Sequence, residues 1–126
     1  MKKKVAAVRQ WVGRAKKIYD QLCAYEQALE GLANVSGTEP ILKEFYELRS
    51  LELDCKTELS EVLSKAKLTP RQFSILNLHY LQYESWTAIS KRLHIDRRYA
   101  LQIHIEALES LAAQLDGKLG LNQMTA

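Results

Sequence analysis

Proline occurs twice and glycine five times in 126 residues, so the chain has little material for long irregular segments. Cysteine is as scarce. Cys23 and Cys55 lie far apart with no metal-type grouping around them, and both read as free thiols on apolar faces in a reducing setting. No apolar run approaches the roughly 18 residues a membrane span requires. The start, MKKKVAAVRQWVG, lacks the sustained apolar stretch and cleavage site of an export signal. There is no H-E-x-x-H, no nucleophile elbow and no phosphate-cradling glycine loop. His79, His94 and His104 stand apart from any convincing carboxylate and cysteine arrangement. Catalysis, a cofactor and a metal are therefore not expected.

Charge of one sign is also in short supply. Lys+Arg number 18 against Asp+Glu 15, a net charge of +3 that is too small a bias to imply nucleic acid by itself. Its distribution says more. Residues 1–35 carry seven basic and three acidic side chains, the middle third is net acidic, and positions 91–98 hold four basic residues against Asp96.

What remains is strongly helical in pattern, with a hydrophobic fraction of 47%. From about Lys4 to Ala33, Val5, Val8, Val12, Ala15, Tyr19, Leu22 and Leu29 recur at intervals of three and four and predict one long helix, its stripe widened by Trp11, Ile18, Tyr25 and Leu32. So broad an apolar face needs a partner. NVSGTEP interrupts the pattern: Gly37 suits a positive φ, Thr38 an N-cap and Pro40 a first turn. A second helix to about residue 67 follows, with Ile41, Phe45, Leu48, Cys55, Leu59, Val62 and Ala66 on one side, and Glu52 interrupts its seam, which fits further packing against the C-terminal unit or another subunit and equally an ordinary solvent boundary. A short connection between helices of similar length predicts an antiparallel hairpin.

LTPRQ opens a third segment. Thr69 with Gln72 forms a capping box and Pro70 takes the first helical position. A helix of about 70–82 then places Phe73, Leu76 and Tyr80 on one face. Ser85 caps a short helix of about 86–93, and His94-Ile95-Asp96 turns into a helix of about 97–115 for which Asp96 is the expected carboxylate cap. In that last helix Ala100, Ile103, Ala107, Leu108, Leu111 and Leu115 face the core. Arg97, Arg98, Leu101, Gln102, Ile105 and Glu106 face outward.

Several elements in fixed order carry a resemblance over residues 69–111: a leading helix ending in LHYLQYESW, AIS-x-RL, the I-D-R-R turn and the Q-I-H-x-E-A-L continuation. This third of the chain resembles the promoter-reading helix-turn-helix of bacterial primary-type sigma factors, and more closely small phage proteins of the ArpU-like type, a group connected with late-gene transcription control. His94 stands where such domains often have glycine, and Ala100 where a larger aliphatic residue is usual.

The helical pattern gives an all-α chain with a hairpin over 1–67, available for oligomerisation or partner binding, and a tail over 116–126, and the resemblance implies a sigma region 4-like helix-turn-helix over 68–115. It further implies a DNA-binding transcription regulator in the cytoplasm of a bacterial host, with double-stranded DNA, a homodimer or higher homo-oligomer and host RNA polymerase as partners and no membrane. Base reading falls to Arg97, Arg98, Leu101, Gln102 and Ile105, and phosphate contact to Arg71, Ser85, Lys91 and Arg92. Each assignment has a plain rival. Arginines at a helix start also form ordinary solvated faces, Trp86, Tyr80 and Phe73 read as core rather than stacking platforms, and the whole unit could serve as a protein-interaction module.

Overall fold

The computed structural model describes residues 2–31 and 37–115. Leu32, most of the connection before Gly37 and the expected tail over 116–126 lie outside the described residues. Among the described residues the fold is all-helical: α1 (Lys2–Val12), α2 (Arg14–Gly31), α3 (Glu39–Lys65), α4 (Pro70–Leu76) continuing into a π-helical turn (Asn77–Leu81), α5 (Trp86–Leu93) and α6 (Arg97–Gln114). No described helix is long and apolar enough to cross a membrane.

The single first helix expected from periodicity is two helices that meet at Gly13. Hydrogen bonds still span the junction, from Gly13 N to Arg9 O at 3.1 Å and from Lys17 N to Gly13 O at 3.0 Å. Glycine is the weakest helix former after proline. Here it also lies close to its neighbours: a Cβ on Gly13 would meet Arg9 O at 3.2 Å and Tyr80 Cε1 at 3.8 Å. The two halves of the stripe then find different partners, since α1 packs on α6 and α2 packs along α3.

That division builds the core. Val8, Trp11 and Val12 of α1, Leu59 and Leu63 of α3, Leu76 and Tyr80, and Ala107, Leu108 and Leu111 of α6 form one buried cluster. Residues on both sides of position 67 therefore share a core. A second cluster joins Ala15, Ile18 and Leu22 of α2 to Phe45 and Cys55 of α3. A third holds Ile75, Leu78, Ile89, Ala100 and Ile103. Ala100, fully buried, lets α6 come close to its neighbours at the point where a larger residue would push it away.

Start and stop signals are mostly as expected, with corrections. Gly37 has φ +86°. Thr38 occupies the N-cap of α3 but its backbone is helical (φ −87°, ψ −4°) and its side chain makes no capping hydrogen bond. The Thr69 capping box is complete: Thr69 Oγ1 accepts from Gln72 N at 3.1 Å, and Gln72 Oε1 accepts from Thr69 N at 3.0 Å. The helix after it widens in its last turn, where Gln82 N donates to Asn77 O. Of the three residues expected on its buried face, Leu76 and Tyr80 are buried but Phe73 is 41% exposed, because α6 covers only one side of α4. Tyr19, expected in the first stripe, is likewise 39% exposed.

Beyond the π turn, Tyr83 adopts a left-handed φ of 59° and reaches back to the hairpin. Its ring stacks on Tyr19 at 4.3 Å, Lys56 sits over it at 5.1 Å, and its hydroxyl donates to Glu52 Oε2 at 2.6 Å. Burial, followed by the Glu52 carboxylate, pushes the Tyr83 phenol well above its ordinary value. Glu52 thus breaks the seam of α3 because the C-terminal unit packs there.

Candidate nucleic-acid interface

Helices α5 and α6 meet through His94, Ile95 and Asp96. Ser85 sets the start of α5: its backbone is extended and its Oγ accepts from Ala88 N at 3.1 Å. His94 ends α5 in the left-handed region (φ 55°, ψ 45°), the conformation that favours glycine, and the chain reverses there with Ile95 N bonded to Ser90 O at 3.1 Å. A non-glycine residue in that region costs roughly 1 kcal/mol, which the packing of half-buried Leu93 and Ile95 against the third cluster offsets. Asp96 takes the N-cap position with an extended backbone, yet its side chain makes no cap hydrogen bond. Its carboxylate acts only as a charge near the positive end of α6.

Burial of α6 is one-sided. Ala100, Ile103, His104, Ala107, Leu108, Leu111 and Ala112 are buried, while Arg97, Arg98, Leu101, Gln102 and Ile105 are all exposed. Arg97 and Arg98 have no hydrogen-bond or ion-pair partner among the described residues, and neither does Lys91 on α5. At 100° per residue, Arg98, Leu101, Gln102 and Ile105 fall within one sector of the helix and Arg97 lies at its edge. Leu101 and Ile105 form an apolar pair one turn apart, 36% and 41% exposed. Gln102 Nε2 donates to Glu106 Oε1 at 3.3 Å.

The four residues assigned to phosphate contact differ in availability. Lys91 is free. Arg71 lies with its guanidinium 6.0 Å from the ring of Tyr99. Ser85 spends an oxygen lone pair on its cap, which leaves its hydroxyl proton to donate. Arg92 is held: Nε and Nη2 both donate to Glu84 Oε1, at 3.1 and 2.5 Å, while Glu84 Oε2 is buried with no hydrogen-bond partner. The Glu84 carboxylate raises the Arg92 pKa further. An acid eight positions before Arg92 and next to a capping serine gives no periodic signal, so that clamp escapes a reading by helical spacing.

Two further features were missed for related reasons. Tyr99 is 49% exposed, and its ring lies beneath the Arg71 guanidinium, a cation and aromatic pair made by α4 and α6 together. His104, only 2% exposed, points inward, where its Nε2 accepts from the Tyr80 hydroxyl at 2.5 Å. Burial, then His79 and Arg9, lower the His104 pKa to about 4, and burial pushes the Tyr80 phenol up to about 12, so both are neutral at pH 7. His79 stacks on Trp86 at 4.3 Å and donates Nδ1–H to Glu84 O at 3.0 Å; burial is the main cause of its lowered pKa. The three aromatic residues of this turn and α5 thus brace the inner side of α6. Among the described residues no group of three or more His, Cys, Asp or Glu is arranged to hold a metal. Comparison of the chain with known protein families, curated proteins and solved structures finds no match.

Proposed function

We propose that the chain is a sequence-specific double-stranded DNA-binding regulator of transcription, of phage or prophage origin and concerned with late genes, acting without catalysis in the cytoplasm of a bacterial host. The observation that carries this reading is the tip of α6, where Arg97 and Arg98 are exposed and have no partner among the described residues while the opposite side of the same helix is fixed in the core. A helix held that way enters a major groove about 12 Å wide without rearranging its own packing.

In this reading α5 rests against the phosphate backbone, with Lys91 and the Ser85 hydroxyl as contacts. Arg97 and Arg98 offer planar forks to guanine edges or phosphates, Gln102 pairs with adenine, and Leu101 and Ile105 meet thymine methyl groups. Glu106 and Glu109, both exposed, repel phosphate farther along, so the reading surface ends after about two turns of α6. Arg92 contributes less, since its Nε and Nη2 are held by Glu84 and its charge is already balanced there. The hairpin sets subunit geometry or receives the polymerase. Two copies on a palindromic site would place their reading helices about 34 Å apart.

The test is selection of bound duplexes from bacterial and prophage genomic fragments, followed by a salt series on the selected site. Affinity should fall with salt by a log-log slope of about 0.9 per neutralised phosphate. Arg97→Ala and Arg98→Ala should each cost about fivefold to 150-fold, at about 1 to 3 kcal/mol per base contact. Arg92→Ala should cost less, since its charge is already committed. Failure of the folded protein to bind any duplex at low salt would sink the proposal. One observation favours a second reading: the exposed Leu101 and Ile105 pair also suits a helical protein partner, and a neighbouring chain covering that pair would displace DNA.

A further inference from the structure

A cleft of about 840 Å³ opens where α1 meets α2 and the π turn passes beneath them. Arg9, Gln10, Arg14, Lys16 and Lys17 line one side, and His79 and Tyr80 the other. Four permanent cations and no carboxylate line it, a bias that the sequence anticipates: the first 19 residues contain seven Lys or Arg and no acid before Asp20. Two of the four are balanced within the fold. Arg14 Nη2 lies 3.2 Å from Glu58 Oε2 and its guanidinium stacks 4.6 Å from the Trp11 ring, while Lys16 Nζ lies 3.6 Å from Asp20. Arg9 and Lys17, both exposed, have no carboxylate partner among the described residues.

Cations that share one concave volume act together on whatever enters it, and such a surface focuses the field that each alone would lose to water. The π turn adds a responsive group. With Nδ1–H committed to Glu84 O, His79 keeps its lone pair on Nε2, and Arg9 and Lys16 repel a proton there. Tyr80 faces the same cleft and donates its hydroxyl hydrogen bond inward to His104 on α6. Burial is the main cause of the lowered His79 pKa and the two cations add to it, so an anion in the cleft would offset the cationic part and shift the His79 pKa upward. A group with several charged oxygens fits this spread of donors better than a single halide does.

We propose that this cleft binds phosphate groups, with Arg9 and Lys17, which have no carboxylate partner among the described residues, as the main cationic contacts and Gln10, Arg14 and Lys16 as supporting ones. The phosphate comes either from a small phosphorylated molecule or from a nucleic acid backbone. The site stands whether or not α6 reads bases.

The experiment titrates the full chain with inorganic pyrophosphate at low salt, following histidine side-chain NMR signals and heat of binding. His94, which does not line the cleft, is the internal control. Saturable binding with a rise in the His79 pKa, weakened about tenfold by Lys17→Gln and further by Arg9→Gln, supports a free-phosphate source. Both substitutions are exposed, and thermal melts verify that the variants fold. A parallel arm measures duplex affinity: loss in the Arg9→Gln/Lys17→Gln pair with a smaller salt slope, and no pyrophosphate binding, supports a backbone source. Pyrophosphate binding that the substitutions leave unchanged, or no response in either arm, overturns the proposal.

Discussion

Of its 27 residues α3 buries Phe45, Cys55, Leu59 and Leu63, whereas the 18 residues of α6 include seven that are buried. The shorter helix is enclosed by α1, α4 and α5; the longer one leans chiefly on α2. Tyr46, Leu51 and Leu53 of α3 are left 50% to 64% exposed. The contrast shows where order resides. Stability is concentrated where α1 and the C-terminal helices share a core, which keeps the outer tip of α6 rigid, while the far part of the hairpin is held by fewer apolar contacts and should open at lower free energy.

The sharpest way to break this contrast is to hollow out its strong side. Leu108 is fully buried in the shared core, so Leu108→Ala should cost about 2 to 5 kcal/mol in urea unfolding and loosen α1 along with α6. A loss under about 1 kcal/mol would mean that the core is less consolidated than its burial indicates.

Acid should attack the same region. His104 carries a folded-state pKa of about 4 against an ordinary 6.5. The unfolded chain therefore binds a proton that the folded one refuses across this interval, so stability is complete above about pH 6.5 and falls as pH drops toward 4. The loss from this group amounts to roughly 3 kcal/mol, and His79, also lowered, adds in the same direction. Replacing the hydrogen-bonded pair by Tyr80→Phe/His104→Leu should flatten most of the acid limb of a stability profile, because the more buried imidazole is gone and only the His79 contribution remains.

A smaller effect tests how the two regions are joined. Tyr83→Phe removes the hydroxyl that donates to Glu52 while keeping the ring on Tyr19. It should cost about 1 kcal/mol and speed amide exchange in α2 and α3 more than in α6. The smallest effect is expected at Leu51, half exposed on α3. Leu51→Ala should change stability by less than about 0.5 kcal/mol at low protein concentration. A larger loss that grows with concentration would identify the outer face of α3 as an interface between copies.

Helix positions and most of the α6 register were legible because each rests on local spacing. Ala100, Ile103, Ala107, Leu108 and Leu111 repeat at intervals of three and four, and all are buried. The Thr69 box and the Ser85 cap were legible because a cap is a bond between residues three apart. Asp96 and Thr38 occupy their expected cap positions without making the bond: residue type admits a side-chain bond but does not compel the rotamer that makes it. Phe73 and Tyr19 fall on apolar stripes and are nevertheless exposed, since a stripe records which side could be covered and the neighbouring helices determine how much is.

In the candidate site, the exposure of Arg97, Arg98, Leu101, Gln102 and Ile105 followed from the same periodicity that buried their neighbours. The Glu84 clamp on Arg92, the Tyr80 to His104 hydrogen bond and the cationic cleft did not follow. They join residues separated by a turn, by 24 positions or by most of the chain.

Local sequence sufficed for an all-helical chain with its breaks near Gly37 and Thr69, because helix formation and capping are settled within a few residues. Only the tertiary structure decided that the first helix splits at Gly13 to serve two partners, that both halves of the chain share one core, and which arginines remain free. Those outcomes depend on what each side chain meets across the fold, and that information is carried by packing geometry rather than by spacing along the chain.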